Sequence, residues 1–208
     1  MEGLLAAMAA RISLALQGFD HPAAGHVLQW DIKQAARLRP LLGNVPGDLA
    51  EVCLATMDRF DAIAPLLHGL RAQVVHNDLN PHNVLVNPDN PDQIAGILDF
   101  GDMVKTPLIC DVAVAASYLI DPGHALESLR NFLRAYHAVL PLTAPERRLF
   151  PDLVMVRMVT TITIASTRAA RQPENAPYIL RNLATARPGL MALAALEPEA
   201  VAAAMEAI

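Results

Sequence analysis

Apolar and polar positions alternate along this chain with two different periods. From Glu2 to Gln17 the apolar residues recur at helical spacing and Gly18 ends the pattern, which predicts a first helix. Phe19 to Gln29, with Pro22 and Gly25, predicts a loop. Trp30 to Leu42 predicts a short helix with Asp31 as its N-cap, and Gly43 to Gly47 a turn. Asp48 to Leu70 predicts a longer helix, with Leu49, Val52, Cys53, Met57, Phe60, Ile63 and Leu67 on one stripe and a kink at Pro65.

The period then shortens. Gln73–Val75, Val84–Val86 and Ile94–Leu98 are short β-branched runs, and "NPDNPD" (Asn87 to Asp92) separates the last two. This predicts a strand, a polar loop and a hairpin, with Gly96 as the place for a bulge. After Pro107 helical spacing returns over Asp111–Ile120, His124–Val139, Pro145–Arg171, Asn175–Leu196 with a break near Pro188, and Pro198–Ile208. The expected fold class is mainly α with a small β-hairpin region. It forms one domain over residues 1–208: helical in 1–72, a loop and hairpin in 73–103, and helical again in 108–208.

Composition supports the helical reading. Of 208 residues, 53% are apolar and only 4% aromatic, a balance that favours helices and leaves room for a sizeable core. The net charge of −5 supplies no basic stripe, so no nucleic-acid partner is expected. Cys53 and Cys110 sit in apolar helical patterns without ligand spacing, and read as buried reduced thiols. The N-terminus lacks a basic leader pattern, and Asp111 and Arg157 interrupt the two longest apolar runs. A cytoplasmic protein with no membrane partner is the expectation. Met155, Met158 and Met191 read as core filler.

Chemistry concentrates between Val74 and Met103, "VVHNDLNPHNVLVNPDNPDQIAGILDFGDM". Asn83 precedes the first hairpin strand and Asp99 follows the second, and cross-strand neighbours approach within about 5 Å. An amide oxygen and a carboxylate are hard ligands that suit Mg2+. Asp78, in the loop before Asn83, could orient and deprotonate a hydroxyl nucleophile. His76 braces that loop, and Asp111, at a helix start, satisfies its backbone donors. Asp102 reads equally as a contact to a cationic substrate or second metal and as a solvated turn residue. Trp30 reads as a packing anchor, and Arg157 as the partner of a buried carboxylate, with a reach toward an acid group of a substrate as the alternative. His82 with His76 and Asp78 could hold zinc.

In order, His76, Asp78 and Asn83, then Asp99-Phe100-Gly101, form H-x-D-x-x-x-x-N followed by D-F-G, the spacing of protein-kinase-like catalytic loops. The chain resembles the C-terminal, larger lobe of the aminoglycoside phosphotransferase and choline kinase superfamily. "HNDLNPHNVLV", "GILDFGDM" and "RQPENAPYIL" resemble hydroxylysine kinase-like members most closely, and the resemblance runs from Val74 to Leu180. It implies a kinase-like fold, ATP and Mg2+ as cofactors, Asp78 as catalytic base, Asn83 and Asp99 as metal ligands, and Asp111 tying the next helix to the loop. Asn77 stands where protein kinases carry the Arg that answers to a phosphorylated activation loop, which fits a small-molecule kinase.

No G-x-G-x-x-G occurs, and neither Lys33 nor Lys105, the only lysines, follows a "VAIK"-like strand. The ATP-clamping N-terminal lobe is therefore expected to be absent from these residues. Three functions follow. One is a kinase for a small amino-bearing hydroxyl acceptor, incomplete without that lobe. A second is a non-catalytic remnant that binds a partner or a small ligand; a homodimer or a separate N-lobe is the partner expected beside the small-molecule substrate. The third is a zinc or manganese hydrolase built on His76, Asp78, His82 and Asp99.

Overall fold

Thr143 opens the longest helix of the protein with a reciprocal cap. Its hydroxyl accepts from the Glu146 N–H at 3.4 Å, while Glu146 Oε2 accepts from the Thr143 N–H at 2.7 Å. The computed structural model describes residues 2–208. Its α-helices are α1 (Glu2–Ala15), α2 (Ala50–Ile63), α3 (Leu108–Ser117), α4 (Ala125–His137), α5 (Ala144–Arg171), α6 (Ala176–Ile179), α7 (Leu183–Ala194) and α8 (Pro198–Glu206). Its strands are β1 (Ala72–Val75), β2 (Val84–Asn87), β3 (Asn90–Ile97) and β4 (Val104–Pro107). The fold is mainly helical with a small antiparallel strand region, as the hydrophobic periods predict.

The core centres on α5, which packs against α3, the helical stretch Ile32–Asn44, α2 and α7. By length and apolarity α5 could cross a membrane, yet 89% of its apolar window is buried inside the fold. The stripe predicted on the second long helix is buried at Leu49, Cys53, Met57, Phe60 and Leu67, with Val52 and Ile63 partly covered. At Pro65 the α-helical pattern gives way to a 3-10 segment, Ala64–Gly69, because proline cannot donate the continuing bond.

Several boundaries differ from expectation. Ile32–Asn44 is 3-10 rather than α-helical and runs through Gly43; Asp31 caps it, its carboxylate accepting from the Lys33 N–H at 3.0 Å. Asn90–Asp92, expected in the turn, belong to β3. The break in the C-terminal region falls at Leu180–Asn182 instead of Pro188, which lies inside α7. There the helix is held by packing: at Gly189 the absent side chain lets α7 approach Met158 of α5 and Ile120 closely. β4 was not expected at all. It pairs antiparallel with β1, Val75 opposite Val104 and Ala72 opposite Pro107. β2 and β3 form the expected hairpin, with two register shifts, one that makes Ala95, beside Gly96, an extra residue and one between Val86 and Asn87 nearer the turn.

Candidate active site

β1 delivers the chain into a loop that its neighbours fix from three sides. Asn77 is buried with φ of 64°, a left-handed conformation that is costly for a side chain other than glycine. Its N–H donates to Asp111 Oδ1 on α3 at 2.6 Å. Asp111 is buried, and that burial pushes its carboxyl up to about 6 even though the Asn77 bond and His76 pull the other way. His76 Nδ1 accepts from the Asp78 N–H at 3.3 Å and Nε2 lies 3.0 Å from the Leu98 carbonyl, so both ring nitrogens are committed. The Phe100 ring packs on it with centroids 4.9 Å apart.

These contacts present the Asp78 side chain, 22% exposed, to the open side of the loop. Its Oδ2 accepts from Asn83 Nδ2 at 3.0 Å. Its Oδ1 accepts from Arg157 Nη2 at 3.2 Å and from the Tyr118 hydroxyl at 3.4 Å. The Asp78 carbonyl takes the amides of Asn80 and Asn83 at 3.0 and 2.9 Å, and Asn80 caps the turn Pro81–Asn83 through the His82 N–H.

The hairpin brings the second half of the motif alongside. Leu98 N–H donates to the Asn83 carbonyl at 2.9 Å, so Asp99 stands one residue beyond a direct partner of Asn83. Asp99 also adopts a left-handed conformation, φ 61°, and caps the turn Phe100–Asp102 by accepting from the Gly101 N–H at 3.3 Å. Asp102 is partly buried, and its carboxyl is raised by that burial and by the charges of Asp78 and Asp99, with Arg157 and His76 opposing. The charges of Asp78 and Asp99 thus both reach the Asp102 carboxyl.

An amide whose nitrogen is spent on Asp78, as in Asn83, has its oxygen to offer a metal, and Asp99 adds a carboxylate. This oxygen donor set fits Mg2+, which takes one or two protein carboxylates and fills its remaining positions with water and phosphate oxygens. The zinc arrangement is not assembled. Among the described residues no three His, Cys, Asp or Glu side chains gather to hold an ion, and both nitrogens of His76 are engaged.

Two contacts to Asp78 were not identified from sequence. A cation interrupting an apolar helix does signal a buried acid partner, but not which one; that partner is Asp78. Nothing in the sequence marked Tyr118. Trp30 is partly buried, as expected of an anchor. Two guanidinium groups pack over its ring, Arg157 at 5.3 Å and Arg168 at 5.4 Å, and its carbonyl accepts from Arg157 Nη1 at 2.8 Å.

Residues 2–151 match the phosphotransferase enzyme family. A hydroxylysine kinase of Danio rerio is 30% identical over 199 residues, which cover 91% of this chain and 55% of the relative. A hydroxylysine kinase of Mus musculus is 27% identical over 186 residues, 83% of this chain and 50% of the relative. A homoserine kinase of Methylobacillus flagellatus is 30% identical over 131 residues, 62% of this chain and 39% of the relative. The chain thus spans about half the length of the curated relatives it matches. Among solved structures, a microcompartment-associated aminopropanol kinase superposes with a TM-score of 0.56 at 16% identity, covering 91% of this chain and 59% of the other. An amicoumacin kinase in complex with AMP-PNP and Ca2+ superposes with a TM-score of 0.57 at 16% identity, covering 89% and 58%. At that identity the likeness is one of fold.

Proposed function

The chain belongs to the phosphotransferase enzyme family, and from that membership we propose that it is the acceptor-activating and metal-holding part of an ATP- and Mg2+-dependent kinase. The reaction moves the γ-phosphoryl group of ATP to a hydroxyl of a small amino-bearing molecule. The observation that carries this reading is the meeting of the loop and hairpin ends: Asp78 bonded to Asn83, and Asn83 paired with the residue before Asp99. Asp78 accepts the proton of the acceptor hydroxyl. Asn83 and Asp99 hold Mg2+, which neutralises charge on the phosphates when bound. His76 and Asp111 keep the loop in shape, and Asp102 faces the cation or the amine of the acceptor.

The relatives' names give two amino acids that carry a side-chain hydroxyl, hydroxylysine and homoserine, and this supports an acceptor of that class. Leu85, Val86, Leu98 and Phe100 are exposed on and beside the hairpin. An apolar surface there suits an ATP-clamping lobe, supplied by the same protein or by a separate chain. The cytoplasm is the compartment that an ATP-consuming enzyme with free Cys53 and Cys110 calls for.

The test is a steady-state assay of the chain supplied with the ATP-clamping lobe of a phosphotransferase relative, with MgATP and a panel of hydroxylysine, homoserine, an amino alcohol, choline and an aminoglycoside. Transfer to at least one acceptor is expected, with kcat lowered about 100- to 10,000-fold by Asp78→Asn. Transfer to none of them, or full activity in Asp78→Asn, contradicts the reading.

A further inference from the structure

Arg157 lies in the middle of the long core helix α5, between the buried Val156 and Met158, and is itself only 2% exposed. Stability alone gives little reason for a cation there. Desolvating an ion pair offsets most of its attraction, and an apolar side chain of similar volume commonly serves a core as well or better. Here the guanidinium even leaves its Nε buried without a partner. Its two terminal nitrogens reach the Asp78 carboxylate and the Trp30 backbone. Nη2 bonds Asp78 Oδ1 and lies 3.3 Å from the Tyr118 hydroxyl, which bonds the same oxygen. Nη1 is tied to the Trp30 carbonyl, and the Trp30 ring covers the guanidinium.

A carboxylate held at one oxygen still swings about its Cβ–Cγ bond. Asn83 alone, on Oδ2, would leave Asp78 that freedom. The second hold on Oδ1 fixes the carboxylate plane, and a rigid helix supplies it. Placement of this kind counts for much in phosphoryl transfer, where a displacement of about 1 Å can cost about 100-fold in rate.

We propose that Arg157, backed by Trp30 and assisted by Tyr118, is a positioning residue that clamps the Asp78 carboxylate in the orientation needed to receive the acceptor's proton. The catalytic consequence rests on the phosphotransferase reading above; the clamp itself does not.

The experiment therefore has two arms, both on the full chain, the kinetic one with the ATP-clamping lobe supplied as in the assay above. In the kinetic arm, Arg157→Met is expected to lower kcat about 10- to 100-fold while KM for MgATP stays within about twofold. Arg157→Lys restores part of the loss, and Tyr118→Phe costs only a few-fold. In an Asp78→Asn background Arg157→Met causes no further fall in kcat. Unchanged kcat in Arg157→Met, or a fall that multiplies fully with Asp78→Asn, overturns the proposal. In the stability arm, urea midpoints are measured for wild type, Arg157→Met, Asp78→Asn and the double variant. Non-additive midpoints are expected because the pair acts as one unit, whereas additive shifts overturn the clamp. Should Arg157→Met not fold, the same cycle is run with Arg157→Lys and with Tyr118→Phe. Absence of turnover in wild type counts against the phosphotransferase reading, and the midpoints alone then decide the clamp.

Discussion

Asn77 and Asp111, 34 positions apart, are joined by a 2.6 Å bond from a backbone N–H to a buried carboxylate. The bond closes the loop after β1 onto α3 and holds a residue whose left-handed backbone needs outside support. It also leaves a carboxyl in the core that burial raises from an ordinary 3.8 to about 6.

Asp111 therefore makes stability fall as pH rises. A carboxyl raised by folding contributes stability that is fully present below its ordinary range and is lost as pH climbs through about 6. That contribution is lost mostly between about pH 4 and pH 7. Asp111→Asn keeps an acceptor for Asn77 and removes the titration. Urea midpoints across that range are expected to decline in wild type relative to Asp111→Asn, and parallel curves would count against the account.

Glu146 carries the opposite pH dependence. Burial works to raise its carboxyl, but bonds from Arg71 at 2.6 and 2.9 Å and from the Thr143 N–H outweigh it and hold the group below its usual range. Its contribution is present above the ordinary carboxylate range and is lost as pH falls through the lowered value. Glu146→Ala removes the carboxylate half of the α5 cap and leaves Arg71 beside β1 with the Pro141 carbonyl but without its carboxylate partner. A loss of about 1–3 kcal/mol in urea unfolding at pH 7 is expected, shrinking toward acid.

His76 is predicted to matter for assembly of the site. His76→Ala takes the partner from the Leu98 carbonyl and from the Asp78 N–H and removes the face on which Phe100 packs. The expected cost is about 1–3 kcal/mol in stability. Amide exchange should also quicken at Asp78 and around Leu98, where hydrogen-exchange measurements would detect it. Unchanged exchange would mean that other contacts hold the hairpin to the loop.

Much of this was legible from sequence because it is local. Leu49, Cys53, Met57 and Phe60 are spaced by one helical period, and they are buried together. The His76–Asp78–Asn83 and Asp99 spacing placed the loop and the hairpin in order. What escaped depends on distant partners. β4 contains a lysine and a proline among its four residues and has no strand pattern of its own; pairing with β1 makes it a strand. Pro188 looks like a helix breaker, yet packing of Gly189 on Met158 carries α7 through it. The same applies to Arg157. Its charge called for an acid, but only the crossing of α5 beneath the loop, 79 residues from Asp78, selected the partner.

Asp99 is the residue on which the metal and nucleotide reading depends most directly. Calorimetric titration of MgATP into the wild-type chain, with Asp99→Ala in parallel, tests it. The account predicts saturable binding in wild type that Asp99→Ala loses. Equal binding by Asp99→Ala, or no binding by wild type, would contradict it.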